Sequence, residues 1–273
     1  MFFTKGIAAS NMVLLQNSIN CIYGSAPAEK KISMTFRKQA FETYSDKNGN
    51  WKFELNAGLP CTGETLILYC EGEEENIRFE NVAVGEVWLC SGQSNMQLMM
   101  ERLKYTYPQE FAAPENQNIR MITIPVVFDF DGPKETVNSP EWKVAGPDTM
   151  ASLSGTAYFF AKKIQEELGI PVGIINASQG GTPITAWMNA EYMEGIGSYV
   201  QRLEQLKKPD YVKEVQAEEK QALDSWHEKL NALDPGVEEN WEKLTVSEAC
   251  GQGWETCELP GQIDLISKGG VVW

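Results

Sequence analysis

The chain has 273 residues, 42% hydrophobic and 10% aromatic, enough apolar material for a folded core and for about two domains of ordinary size. Lys and Arg number 23 against 38 Asp and Glu, a formal charge of -15, so a polyanion is repelled at long range and nucleic-acid binding is set aside. No apolar run approaches the roughly 20 residues of a membrane-spanning helix. Residues 1–6 lack the apolar stretch of a secretory leader, which favours a soluble, cytoplasmic protein while leaving export open to a chain that has lost its leader.

The first 80 residues read as β structure. Residues 51–55 and 77–79 alternate apolar and polar positions, and Asp46-Lys-Asn-Gly49 and Thr62-Gly-Glu64 supply turns. A small β-sandwich is expected over residues 1–80. From Val82 the pattern changes: Val87-Trp-Leu-Cys90 is a continuous apolar run that stops at Ser91-Gly92, as in a strand buried on both faces. A second domain is therefore placed at residues 81–237. Residues 152–168 carry apolar positions at helical spacing, with Ser152 or Ser154 as cap and Gly169 and Pro171 at the end. Val172-Gly-Ile-Ile175 returns to a buried strand. Strand, helix, strand is the grammar of an α/β unit with a parallel sheet, whose ligands gather at the carboxyl ends of the strands. A further helical stretch follows, with Tyr199, Leu203 and Leu206 before Pro209, then Tyr211, Val215, Ala222, Trp226 and Leu230 on one stripe among many charges, and it stops at Asp234-Pro-Gly236. The tail from 238 to 273 is rich in Gly and Trp and ends on Val271-Val-Trp273, an apolar segment with nothing to pair against, so a truncated chain is expected.

Six cysteines are dispersed through the chain beside a single histidine, with no Cys-x-x-Cys spacing, so neither zinc nor another metal is expected. Cys61 with Cys70, or Cys250 with Cys257, could pair in an exported protein; free buried thiols suit an unexported one, and no essential disulfide is expected.

Cys90-Ser-Gly-Gln-Ser-Asn-Met96 is the sharpest chemical candidate. A serine hydroxyl becomes a nucleophile when a tight glycine-assisted turn lifts it out of the sheet edge, and Ser94 sits where such a turn would put it. Met96 stands where the Gly-x-Ser-x-Gly elbow has its last glycine, so an ordinary α/β-hydrolase is disfavoured. The bland alternative is a capped turn. Asn176-Ala-Ser-Gln-Gly-Gly-Thr-Pro183 is the second candidate: two glycines allow close approach, and Thr182-Pro183 reads as a helix cap with proline in the first turn. Amides at such a helix start would favour an oxyanion formed at Ser94. The bland alternative is a connecting turn. A general base is missing, because the one histidine, His227, lies in a charged helical stretch far from any strand end.

At these residues the sequence resembles the sialate O-acetylesterase family of the SGNH hydrolases. Asn11-Met-Val-Leu-Leu-Gln16, Asp46-Lys-Asn-Gly-Asn-Trp51, the run from Asn81 to Met96, Ile170-Pro-Val-Gly-Ile-Ile175, and Gly180-Gly-Thr182 with Ala186-Trp187 match its motifs in order. The resemblance implies an N-terminal β-sandwich followed by an SGNH-type, flavodoxin-like α/β hydrolase domain, incomplete at its C-terminus. It also implies Ser94 as nucleophile and the amides of Ser94, Gly180 and Gly181 as oxyanion hole. The activity implied is removal of O-acetyl groups from sugars without a metal or organic cofactor, on an acetylated carbohydrate. Gln93, Asn95 and Trp187 are then candidates for lining the sugar site. The family's Gln-Gly-Glu and Asp-x-x-His blocks do not occur, and residues 238–273 resemble the entry into a β-rich insertion, so the base and its acid partner are expected downstream. The alternative is a non-catalytic glycan-binding or degenerate fragment. Oligomeric state stays open.

Overall fold

The computed structural model of the protein describes residues 1–127, 129–134 and 136–234. They fall into two compact units, residues 1–195 and the described part of residues 196–273. The expected insertion at 238–273, the pair Cys250 and Cys257, and the tail tryptophans lie outside the described residues.

In chain order the strands are β1 (Phe3–Thr4), β2 (Val13–Leu15), β3 (Ile19–Ser25), β4 (Lys31–Phe36), β5 (Gln39–Tyr44), β6 (Asn50–Asn56), β7 (Cys61–Cys70), β8 (Ile77–Gly92), β9 (Asn116–Thr123), β10 (Trp142–Ala145) and β11 (Val172–Ser178). The α-helices are α1 (Ser94–Gln97), α2 (Pro108–Ala112), α3 (Gly155–Leu168), α4 (Tyr199–Leu206) and α5 (Tyr211–Leu233), the last two in the second unit. The architecture is α/β. Strands β1, β3 and β6 make a small antiparallel sheet, while β10, β9, β11, β8, β7, β4 and β5 run side by side in a large mixed sheet, with β2 also paired to β8.

Local patterning explains the layers. Strand β6 buries Trp51, Phe53 and Leu55 and exposes the residues between them, and β4 buries Ile32, Met34 and Phe36 with half-buried residues between them. These side chains share one core with Val82, Val84, Ile122 and Trp142. Strand β8 continues through residues 80 and 81: its first part pairs antiparallel with β7, and its last seven residues pair parallel with β11. Strand β11 lies between β8 and β9, parallel to both, which accounts for its unbroken apolar run.

One buried cation ties this junction together. Arg120 on β9 is fully buried, and its guanidinium donates to the carbonyls of Gln117 (2.9 Å), Asn11 (3.2 Å) and Asn81 and to Asn81 Oδ1 (3.2 Å). Asn81 takes a left-handed φ of 52° at the register shift in the pairing of β8 with β7, between Phe79 and Val82. Burial pulls the Arg120 guanidinium down to about 10, so it stays protonated at neutral pH.

Helix α3 covers the parallel strands, with Ala157 and Ala161 at zero exposure. Its cap is Ser154, whose side chain accepts from the Ala157 amide, and it ends at Gly169 with a left-handed φ of 68°. Helix α2 is held on α3 through Glu110, which is buried and accepts from Tyr158 Oη (2.6 Å) and Lys162 Nζ (2.7 and 2.9 Å). Burial pushes the Glu110 carboxyl up, but the hydrogen bonds from Lys162 and Tyr158 outweigh it and hold the carboxyl below its usual value. A lowered carboxyl pKa contributes stability that is complete above the unfolded value and is lost as pH falls through the folded one. Glu110→Gln is therefore expected to cost about 1–3 kcal/mol at neutral pH. The gap from wild type in thermal melts should close as the pH is lowered past the usual carboxylate range. A gap that stays constant with pH would exclude the ionic account.

Among the described residues no helix is long and apolar enough to cross a membrane. Cys21, Cys61, Cys70 and Cys90 are free thiols.

Candidate active site

The site begins where β8 ends. Gly92 has a φ of 149°, a region open to glycine and costly for other residues, and this bend releases the chain into the single turn of α1. Ser94 is the first residue of that turn and is exposed. Its Oγ makes no hydrogen bond among the described residues. A four-residue helix does not hold by itself; α1 is held by the start of α3. Ser154 Oγ donates to the Met96 carbonyl (2.6 Å), Thr156 Oγ1 donates to the Asn95 carbonyl (2.8 Å), and the Gly155 amide donates to the Leu98 carbonyl (2.8 Å).

The second turn arrives through sheet register. Asn176, Ala177 and Ser178 of β11 pair with Cys90, Ser91 and Gly92 of β8, so both strands end at the same level. The Gln179 amide donates to the Gly92 carbonyl (3.0 Å), and the Gln93 side chain donates to the Thr182 carbonyl. The Gly180 amide donates to Gln97 Oε1 (2.7 Å), while Gln97 Nε2 donates to Gln179 Oε1 (3.1 Å). A Cβ placed on Gly180 would lie 3.4 Å from Ser94 Cα, so the two turns are in van der Waals contact. Among the described residues the amides of Ser94, Asn95 and Gly181 have no acceptor, whereas the Gly180 amide is occupied.

One expectation is corrected. Thr182 and Pro183 do not open an α-helix: Pro183 is extended, with ψ 160°, and only a four-residue 3₁₀ turn, Ile184–Trp187, follows before Met188 is extended again. Aligned dipoles of several turns are therefore not available there, and any anion must be met by individual amides. Thr182 has another role. Its Oγ1 donates to the Gln179 carbonyl (2.8 Å) and accepts from Trp187 Nε1 (2.9 Å), which fixes the indole beside the turn.

Trp187, 45% exposed, lines with Ser91, Gly92, Gln93 and Ile184 a cavity of about 390 Å³. Of the three residues expected to line a sugar site, Gln93 and Trp187 meet at this cavity; Asn95 stands exposed on α1 outside its lining. A slightly larger cavity, about 430 Å³, lies among Val13, Ile22, Val87, Trp142 and Ile175 and touches none of the expected site residues.

His227 lies on α5 in the second unit, exposed, with its ring edge-on to Trp226 at 4.9 Å. Burial pushes the Cys90 thiol up, so the cysteine nearest Ser94 in sequence stays protonated and unreactive. Among the described residues no group of three or more His, Cys, Asp or Glu could hold a metal ion. Gln97 and Ser154 are the residues that motif reading passed over as site components. Gln97 adjoins the Ser94 motif, but its partners lie on a turn more than 80 residues away in sequence. Ser154 was legible only as a helix cap.

Comparison with known proteins relates the chain to a family and to a solved fold. Residues 84–233 match the family model described as carbohydrate esterase, sialic acid-specific acetylesterase. A sialate O-acetylesterase from Rattus norvegicus is 26% identical over 140 residues, covering 49% of this chain and 26% of that protein. The Homo sapiens sialate O-acetylesterase is 27% identical over 127 residues, covering 44% of this chain and 24% of that protein. The chain thus spans about a quarter of the length of these relatives. A crystal structure of a carbohydrate acetylesterase from Xanthomonas citri superposes with a TM-score of 0.66 at 27% identity, over 70% of this chain and 43% of that one. With the matched region running from the strand that delivers Ser94 to the end of α5, the chain belongs to the carbohydrate esterase, sialic acid-specific acetylesterase family.

Proposed function

We propose that this chain carries the nucleophile side of a serine esterase that removes O-acetyl groups from sugars. The observation that carries the reading is the contact between the exposed Ser94 turn and the Gly180 turn, beside a cavity walled by Trp187. In this reading Ser94 Oγ bonds to the acetyl carbonyl carbon, and the carbonyl oxygen becomes an anion received by the Ser94 amide and an amide of the second turn, where Gly181, unlike Gly180, has its N–H unoccupied among the described residues. The bond to the sugar oxygen then breaks, and the proton taken from Ser94 passes to that oxygen. Water releases acetate from the acetyl-serine. The proton acceptor comes from residues outside those described, and no metal or organic cofactor takes part. Residues 1–80 act as a β-sandwich scaffold for β8, a reading supported by Phe53 and Met34 from the two sheets sharing one core.

The Trp187 indole offers a sugar ring an apolar face, and Gln93 offers polar contacts. Trp187→Ala in the product of the intact gene is expected to raise KM for an acetylated oligosaccharide about tenfold, roughly 1.4 kcal/mol, with kcat little changed. An unaltered KM would remove Trp187 from the sugar site. That Ser94 meets no general base among the described residues also favours a second reading, a glycan-binding module without turnover. Retention of the acetylated oligosaccharide with no acetate released would establish it over the esterase.

A further inference from the structure

The amide of Gly180 points at a side chain, and this bears on which amides receive the oxyanion. Gln97 Oε1 accepts from the Gly180 N–H at 2.7 Å, a short contact for an amide pair, and Gln97 Nε2 reaches Gln179 Oε1 at 3.1 Å. Both ends of the carboxamide are therefore engaged on one turn. Gln97 closes the turn of α1 that Ser94 opens, and its own backbone amide donates to the Gln93 carbonyl at 2.9 Å. One side chain thus couples the serine turn to the glycine turn.

We propose that Gln97 is a positioning residue. It clamps the turn holding Gly180 and Gly181 onto α1, fills the Gly180 amide, and leaves the oxyanion to the amides of Ser94 and Gly181. This deepens the esterase reading and rests on it for its catalytic part. Three features support it. The Gly181 N–H has no acceptor among the described residues, and Gly181 adopts a φ of 75°, which a residue with a side chain would resist. The approach at Gly180 is close enough that an added Cβ would sit 2.8 Å from Gln97 Oε1, so glycine there is required by the clamp itself. Finally, Gln97 lies outside the residues lining the Trp187 cavity, so its removal acts on the turn while the sugar wall stays in place.

Two measurements test it. On this chain, hydrogen exchange of the Gly180 amide is expected to be slow, and to accelerate about tenfold or more in Gln97→Leu, in keeping with loss of about 1.4 kcal/mol or more of local protection. On the product of the intact gene, Gln97→Leu is expected to lower kcat for 4-nitrophenyl acetate about 10- to 100-fold with KM nearly constant, because displacing an oxyanion donor by about 1 Å costs on that order. Gln97→Glu keeps an acceptor for the Gly180 amide and should restore its slow exchange. Gly180→Ala reaches the clamp from the other side, pushing Gln97 Oε1 away, and should add little to Gln97→Leu in the double variant. Equal exchange in wild type and Gln97→Leu overturns the clamp. Fast exchange with unchanged kcat overturns the positioning role. A wild-type protein that turns over nothing defeats the esterase reading and the catalytic part of this proposal with it, while the exchange data still decide whether Gln97 holds the turn.

Discussion

Ser94→Ala is expected to abolish acetate release by the product of the intact gene, lowering kcat by about 10³-fold or more, the scale on which nucleophile removal acts in serine hydrolases. The fold should be untouched. Ser94 is exposed and its hydroxyl makes no hydrogen bond among the described residues, so the substitution removes neither a buried contact nor a cap. The turn itself is held by Ser154 and Thr156 from α3, not by Ser94. Thermal melts of variant and wild type should superpose, and an acetylated oligosaccharide should still be retained, since Gln93 and Trp187 line the cavity independently. Acetate release at the wild-type rate would end the serine-esterase reading. Lost activity with a lowered melting temperature would instead show that Ser94 supports the turn.

Arg120→Met is expected to have the largest effect on stability, about 3–5 kcal/mol, because it strips the hydrogen-bond donor from buried carbonyls whose desolvation then goes uncompensated. The Asn11 and Asn81 carbonyls belong to segments distant in sequence, brought together where β2, β8 and β9 converge. Methionine fills part of the volume and satisfies none of these acceptors. Lysine is not an adequate substitute either, since a single ammonium cannot reproduce a planar fork that reaches Gln117, Asn11 and Asn81 together. Urea denaturation should therefore rank wild type well above Arg120→Lys, and Arg120→Lys above or equal to Arg120→Met. A loss below about 1 kcal/mol in Arg120→Met, the level of an ordinary surface change, would show that those carbonyls find other partners.

Much of the site was legible in the chain because it depends on local rules. A continuous apolar run ending in Ser-Gly marks a strand with a sharp exit, and β8 ends at Gly92 as that pattern requires, but the burial expected on both faces fails: Trp88 and Leu89 are exposed and only Cys90 of that run is buried. The same reasoning located α3 and its end at Gly169 and narrowed its cap to Ser152 or Ser154, of which the structure uses Ser154. It failed at Thr182-Pro183, where cap and proline promised an α-helix. Proline sets its own φ but leaves ψ free, so Pro183 stands extended outside the 3₁₀ turn Ile184–Trp187, which stops at the extended Met188. Local signals announce that a helix can start; whether it continues depends on what its face packs against.

Residue type and spacing alone determined that Ser94 follows an apolar strand, that a second glycine-rich turn ends another such strand, and that neither segment carries a histidine base. Tertiary structure decided that these turns touch. Parallel pairing of β8 with β11 sets Ser178 level with Gly92, and only that register places Gly180 against Ser94 and its amide on Gln97. Register is a property of two strands at once, fixed by which faces are buried and by the length of the crossover between them. The same holds for Arg120: its charge is visible in the sequence, but its burial beneath the carbonyls of Asn11 and Asn81 exists only once three separated segments have met.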